Sequence, residues 1–270
     1  MKALFFDLDG TLLDSCKQIP LSAVTALLAA RAKGVKVFVC TGRSLRVERM
    51  LGWNTELQLF DGGVYSNGAC IQLDGKPHYR CIAPEAVRAV VDEVGRYPEV
   101  HLSLNGEGAR HAFNYTPPEH ILGPWGITPA DIVPLDDAAI HHCTKMLIFY
   151  KELVNSTRKL PEDLFPRLQA ACGDRATMYL TDQGVTIQVV SRESSKRAGI
   201  ERVRAALGLE KEEIAVFGDD LNDLEMLSAY PVSIAMGNGV EAVKAAAKYV
   251  TLPNDEGGIA YALKEILHII

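Results

Sequence analysis

The chain opens with an apolar run, Ala3–Leu8, in which apolar and polar positions do not alternate. Such a run predicts a strand covered on both faces, as in a parallel sheet flanked by helices. Pro20 then starts a stretch to about Lys33 that places Ala23, Leu27, Leu28 and Ala30 at helical spacing, with Gly34 as its stop. Val35–Cys40 is a second buried strand, and Thr41-Gly-Arg-Ser leads into another helix. Strand, helix, strand, helix points to a parallel sheet joined by right-handed crossovers.

After Val64-Tyr-Ser-Asn-Gly the rhythm changes. Cys70–Leu73 and His78–Ile82 flank Asp74-Gly75-Lys76, a hairpin turn signal. A helix over Pro84–Tyr97 is followed by short strands, an irregular Pro- and Gly-rich tract at 116–134 and a strand at Thr144–Tyr150. A further helix covers about Leu160–Ala171, and strands follow near Thr177–Leu180 and Val185–Val190. Alternation then resumes, with helices over Ser194–Leu207 and Leu221–Ala229 and strands at Ile214–Phe217, Val232–Ala235 and Tyr249–Leu252. One helix lies between the last two strands, and another runs from Gly258 to the end. The expected fold class is α/β, a parallel-sheet core over 1–82 and 189–270 with an inserted α+β domain over 83–188.

Composition narrows the setting. The chain has 270 residues, 48% hydrophobic and 23% charged, which suits one elaborated domain or two rather than a disordered chain. A net charge of −6 disfavours nucleic acid as a partner, and no apolar stretch approaches the roughly 18 residues of a membrane span. Asp7 follows MKALFF at once, leaving no room for a signal-peptide segment. Cysteines 16, 40, 70, 81, 143 and 172 form no CxxC pair, so they are expected to be reduced and mostly buried. The expectation is a cytoplasmic protein with no obligate protein partner, in which the sequons at Asn114 and Asn155 carry little meaning.

The chemistry gathers where strands end. Asp7-Leu-Asp-Gly-Thr, Thr41-Gly-Arg, Lys196 and Gly218-Asp-Asp-Leu-Asn-Asp223 all fall at carboxyl ends of predicted strands or at the start of the next helix. In open α/β sheets that edge binds ligands. Three carboxylates about 4 Å apart repel by about 4 kcal/mol per pair at an effective dielectric near 20. That is too much for one lysine to offset. An all-oxygen site without His or Cys favours Mg²⁺, whose shell a substrate phosphate completes. A calcium EF-hand loop starting at Asp7 is excluded, because a strand precedes it and its twelfth position is Gln18. Neither a GxxxxGK loop nor a strand-borne GxGxxG is present.

Phosphoryl transfer gives each residue a task. Asp7 attacks phosphorus, Asp9 moves the proton, Thr41 and the following amides hold phosphoryl oxygens, Lys196 adds a compact charge, and Asp219 is the third metal ligand.

DxDGTL at 7–12, TGR at 41–43, the downstream lysine and GDxxND at 218–223 resemble, in order, the four motifs of the haloacid dehalogenase superfamily. Asn67-Gly-Ala, Ala235-Met-Gly-Asn238 and Asn254-Asp-Glu-Gly-Gly258 resemble its Cof-type sugar-phosphatase branch. The resemblance implies a Rossmann-like core with an α/β cap of the IIB type, and a Mg²⁺-dependent phosphatase acting on small phosphorylated metabolites through an aspartyl-phosphate. It makes Asp7 nucleophile and metal ligand, and Asp9 general acid/base with its backbone carbonyl on the metal. Thr41, Gly42 and Lys196 hold phosphate, Asn222 holds phosphate or substrate, Asp219 holds the metal, and Asp223 orients Lys196.

Two positions depart from the family pattern: Arg197, where glycine usually follows the lysine, and Asp220, an extra acid. His101, Asn105, Arg110, His111, Tyr115, His141 and His142 are the polar candidates for substrate choice in the insert. A phosphomutase with the same aspartyl chemistry and a non-catalytic phosphate-sensing module are the alternatives.

Overall fold

The N-terminal apolar run becomes β1 (Ala3–Phe6), whose four residues are all buried. It is followed by α1 (Leu21–Ala32), β2 (Lys36–Cys40), α2 (Val47–Leu51), β3 (Gly62–Tyr65), β4 (Cys70–Leu73) and β5 (Lys76–Tyr79). Then come α3 (Pro84–Val94), β6 (Val100–Gly106), β7 (His111–Phe113), α4 (Glu119–Leu122), α5 (Asp137–His141), β8 (Cys143–Tyr150), α6 (Leu164–Cys172), β9 (Ala176–Thr181) and β10 (Thr186–Ser191). The chain closes with α7 (Lys196–Leu207), β11 (Ile214–Gly218), α8 (Leu224–Ala229), β12 (Val232–Ala235), α9 (Glu241–Ala246), β13 (Tyr249–Val250) and α10 (Gly258–Tyr261). The structure, a computed structural model, describes residues 1–108, 110–150, 158–181 and 184–270. The Asn155 sequon lies outside the described residues.

The chain divides into two compact units: Met1–Ser44, Leu51–His78 and Ser195–Ile270 form one, and Leu45–Met50 with Tyr79–Ser194 form the other. The first unit holds an eight-stranded sheet in the order β13-β12-β11-β1-β2-β3-β4-β5. From β13 to β3 all neighbours run parallel, and β4 turns antiparallel to β3. Phe5 stacks on Phe38 at 4.8 Å and Phe6 on Phe217 at 4.5 Å, tying β1 to both neighbours on opposite faces. Phe5 also joins an apolar cluster with Ile200 and Val203 of α7 and Leu227 of α8.

The second unit holds a five-stranded sheet in the order β7-β6-β8-β10-β9, with every pairing antiparallel. Val87 and Val90 of α3 and Leu164 and Leu168 of α6 pack in one cluster with Leu102, Met146 and Ile187 of that sheet. α2 belongs to this unit: Arg49 pairs with Asp131 at 3.1 Å, and a Cβ on Gly126 would lie 2.9 Å from that of Arg49.

Elements end where local chemistry stops them. Asp74 (φ 49°) and Gly75 (φ 73°) make a two-residue turn by themselves, so β5 begins at Lys76 rather than His78. The helix expected to reach Tyr97 stops at Val94 with Gly95 as its C-cap, and Pro98 disfavours helical backbone at Tyr97 itself. α6 starts at Leu164 rather than Leu160, and the Leu160 amide donates to Gly184 O at 2.9 Å. No helix among the described residues is long and apolar enough to cross a membrane.

Candidate active site

From β1 the chain runs outward to β2 and β3 on one side and later returns to β11 on the other. That reversal of strand order opens a crevice beyond the carboxyl ends of β1 and β11. Asp7 follows β1, Thr41 follows β2, Asp219 follows β11, and Lys196 opens α7. The four polar clusters of the sequence therefore sit on one unit and one sheet edge.

Lys196 is the hub. Its ammonium donates to Asp7 Oδ1 and to Asp223 Oδ1, both at 2.6 Å, with the residue 1% exposed. Burial alone would lower the ammonium's pKa, but Asp223 and Asp7 outweigh it and hold Lys196 charged, above its ordinary range. Ser195 fixes where the helix starts by accepting the Ala198 amide at 3.2 Å. The second oxygen of Asp223 accepts the amides of Asp219 (3.0 Å) and Asp220 (3.2 Å), so both its oxygens are engaged in holding other groups.

Asp7 and Asp219 carry the charge that Lys196 leaves unbalanced. Burial pushes the Asp7 carboxyl well above the usual range; Lys196 opposes this, and Asp223 and Asp219 add to it. Burial likewise pushes Asp219 up to about 6, with a hydrogen bond from Thr11 (Oγ1 to Oδ1, 2.6 Å) opposing and Asp223 adding. Gly10 makes the approach possible: at φ +81° it has no side chain, and a Cβ there would lie 2.2 Å from Asp219 Oδ2. Asp7, Asp219 and Asp223 each offer an oxygen within 4.8 Å of the others. Oxygen-only donors with excess negative charge fit a hard divalent cation. With Asp223 engaged by Lys196 and two amides, Asp7 and Asp219 are the carboxylates suited to hold it.

The Asp9 carboxylate does not join that cluster. Arg43 clamps it through Nε and Nη2, each at 2.7 Å, and Lys17 Nζ donates to it at 2.8 Å. Burial alone would raise its pKa, but the Arg43 fork and then Lys17 hold it down to about 2. Thr41 Oγ1 accepts the Arg43 amide at 3.1 Å, which leaves its hydroxyl proton for a ligand. Asn67, left-handed at φ 51° and buried, joins this side: its amide donates to Thr41 O, and its Oδ1 accepts from Asn222 Nδ2 at 3.3 Å. A Cβ on Gly42 would lie 3.1 Å from that same Oδ1.

Several of these residues stood in the motifs without a task. Arg43, Thr11 and Asn67 are three. Asn238 donates to Gly10 O at 2.8 Å and Asn254 to Leu13 O at 2.8 Å, so the two C-terminal motifs hold the loop that carries Asp7 and Asp9. Lys17 had no motif to announce it. Asp220 is exposed and caps the turn at Leu221, and Arg197 is exposed on α7.

The insert's polar candidates separate into two groups. His101, Asn105 and His111 are buried, and Tyr115 stacks on His101 at 3.8 Å. Arg110, His141 and His142 are exposed. Burial lowers His111 to about 4, with Asp131 opposing. A histidine lowered on folding favours the folded state above its unfolded value of 6.5 and loses that advantage as pH falls toward 4. We therefore expect thermal stability to drop between pH 6.5 and 4, by roughly 3 kcal/mol from this group. His111→Gln should flatten that part of the curve, which melting temperatures across the range would reveal.

A family model for haloacid dehalogenase-like hydrolases matches residues 4–263, and the chain belongs to that family. It is a phosphatase of the haloacid dehalogenase type. It is 28% identical to the Bacillus subtilis phosphatase YwpJ, over 99% of this chain and 100% of that one. It is 29% identical to the 5-amino-6-(5-phospho-D-ribitylamino)uracil phosphatase YitU of the same organism, over 96% and 95%. The solved structure of a subclass IIB sugar phosphatase of the superfamily matches with a TM-score of 0.83 at 29% identity, covering both chains completely. Phosphatases of this family generally use Mg²⁺.

Proposed function

We propose that the protein is a Mg²⁺-dependent phosphatase of small phosphorylated metabolites, sugar phosphates foremost, working in the cytoplasm through an aspartyl-phosphate on Asp7. One observation carries the reading: a fully buried ammonium bridging Asp7 and Asp223 at the end of β1, with Asp219 alongside. A carboxylate so placed is poised for attack rather than for solvation.

In the first step an Asp7 oxygen bonds to phosphorus while the bond to the leaving alcohol breaks, and that alcohol takes a proton from Asp9. In the second, water attacks phosphorus and gives its proton to Asp9, releasing inorganic phosphate and regenerating Asp7. Thr41, the Gly42 amide and Lys196 hold phosphoryl oxygens, with Asn222 beside them. Asp7, Asp219 and the backbone carbonyl of Asp9 would hold Mg²⁺, which would supply charge neutralisation for the transferring group. Asp9 clamped by Arg43 is an ionised carboxylate, the form that accepts the proton of the second step. Donation in the first step needs that pairing to loosen when substrate arrives. The core over 1–82 and 189–270 carries this chemistry, and the insert over 83–188 chooses the substrate.

Release of inorganic phosphate from a panel of phosphorylated sugars, nucleotides and p-nitrophenyl phosphate tests the reading. Turnover with Mg²⁺ and its loss in EDTA are expected. Interconversion of glucose phosphates without phosphate release would instead mark a mutase, and no turnover across the panel a sensing module.

A further inference from the structure

Three consecutive residues after β3 are left-handed: Ser66 at φ 51°, Asn67 at φ 51° and Gly68 at φ 90°. L-residues avoid that region, so two of them ahead of a glycine persist only where the surroundings hold them. The Ser66 amide donates to Arg43 O at 2.8 Å, and the Asn67 amide donates to Thr41 O at 3.1 Å. A Cβ on Gly68 would collide with Ser195 O, so only glycine lets the turn press against the residue that caps α7. One tight turn thus braces both the loop that carries Thr41 and the start of the helix that carries Lys196.

Backbone geometry alone asks for glycine at position 67, because glycine enters this region freely. Asparagine is tolerated there, and its side chain supplies the reason to keep it. Asn67 is 1% exposed, and its Oδ1 accepts from Asn222 Nδ2 at 3.3 Å. The chain on either side of Asn222 is already fixed. The Leu221 amide donates to Asp220 Oδ1 at 2.8 Å, and Lys196 donates to Asp223 Oδ1 at 2.6 Å. Those contacts do not set which way the Asn222 amide is turned, since its oxygen and nitrogen ends have nearly the same shape. An accepting oxygen on Asn67 does set it. One N–H of Asn222 Nδ2 meets Asn67, and the second N–H of that nitrogen remains a donor. Turned over, Asn222 would place oxygen against oxygen.

We propose that Asn67 is a positioning residue: by accepting from Asn222 Nδ2 it orients that amide to donate its second N–H to a phosphoryl oxygen. This rests on the reading of Asn222 as a phosphate contact. Asn67 then serves phosphate affinity, at a position where glycine would suit the backbone better.

Inorganic phosphate as inhibitor and p-nitrophenyl phosphate as substrate, both with Mg²⁺ present, are the probes. Asn67→Gly keeps the left-handed backbone available and should melt near the wild-type temperature. It should raise the inhibition constant of phosphate and the KM about tenfold each, the effect of one hydrogen bond to a charged group. Asn222→Ala should do the same. Because the two residues act as one unit, the double variant should be no worse than Asn222→Ala alone. A further tenfold loss in the double variant would make Asn67 a support for the turn and overturn the assignment alone. So would wild-type phosphate affinity in Asn67→Gly beside a weakened Asn222→Ala. Unchanged phosphate affinity in Asn222→Ala overturns the reading of Asn222 and the assignment with it. If Asn67→Gly does not fold, Asn67→Ala takes its place in the cycle, and failure of both to fold makes the residue structural and overturns the assignment.

Discussion

Asp7→Asn should abolish phosphate release while leaving the protein folded. The substitution keeps the shape of the side chain and removes the charge that the proposed nucleophile needs. A loss on the order of 10⁴-fold or more is expected, about 5 kcal/mol of barrier. Stability should change little, because two effects oppose each other. Lys196 loses one of its two carboxylates but keeps Asp223, and the repulsion between Asp7 and Asp219 is removed. Turnover and melting temperature measured on the same preparation test both halves. A variant that still turns over at a tenth of the wild-type rate would end the covalent mechanism.

Lys196→Met should damage both stability and activity. It strips the cation from between two buried carboxylates, and breaking such a buried pair typically costs about 3–5 kcal/mol. For a chain of this size that corresponds to a fall of very roughly 6–20 °C in melting temperature. Adding Asp223→Asn to the same chain should recover part of the stability, because one uncompensated charge is gone. It should recover none of the activity, because the phosphate has still lost its ammonium. Stability gained without turnover is the coupling signature of neighbours acting as a unit. If the double variant is less stable than the single one by the full cost of Asp223→Asn alone, the bridge does not hold the site together.

The sheet was legible from sequence because its strands are buried on both faces, which leaves apolar runs such as Ala3–Leu8 with no competing pattern. The candidate site residues were legible for a related reason: charge at the end of such a run is costly, so Asp7 and Asp219 stand out. The Arg43 clamp on Asp9 was not, because a bidentate contact depends on the path of the loop after β2 rather than on residue type. Asp220 stood out only as an extra acid beside Asp219, because the turn that it caps at Leu221 does not show in residue type. In the insert, His101, Asn105 and His111 could not be told from Arg110, His141 and His142 by composition.

The place of β1 between β2 and β11 has a consequence for biosynthesis. The stretch from Tyr79 to Ser194 carries nearly all of the second unit and its own apolar cluster, so it can begin to fold as soon as it leaves the ribosome. The first unit cannot be completed then. β1 has one flank open until residues 214–218 are made, and Asp7 waits for a lysine synthesised 189 residues after it. The last strands to be translated close the sheet around the first one, so a ribosome stalled within the insert leaves Asp7 on an unfinished edge.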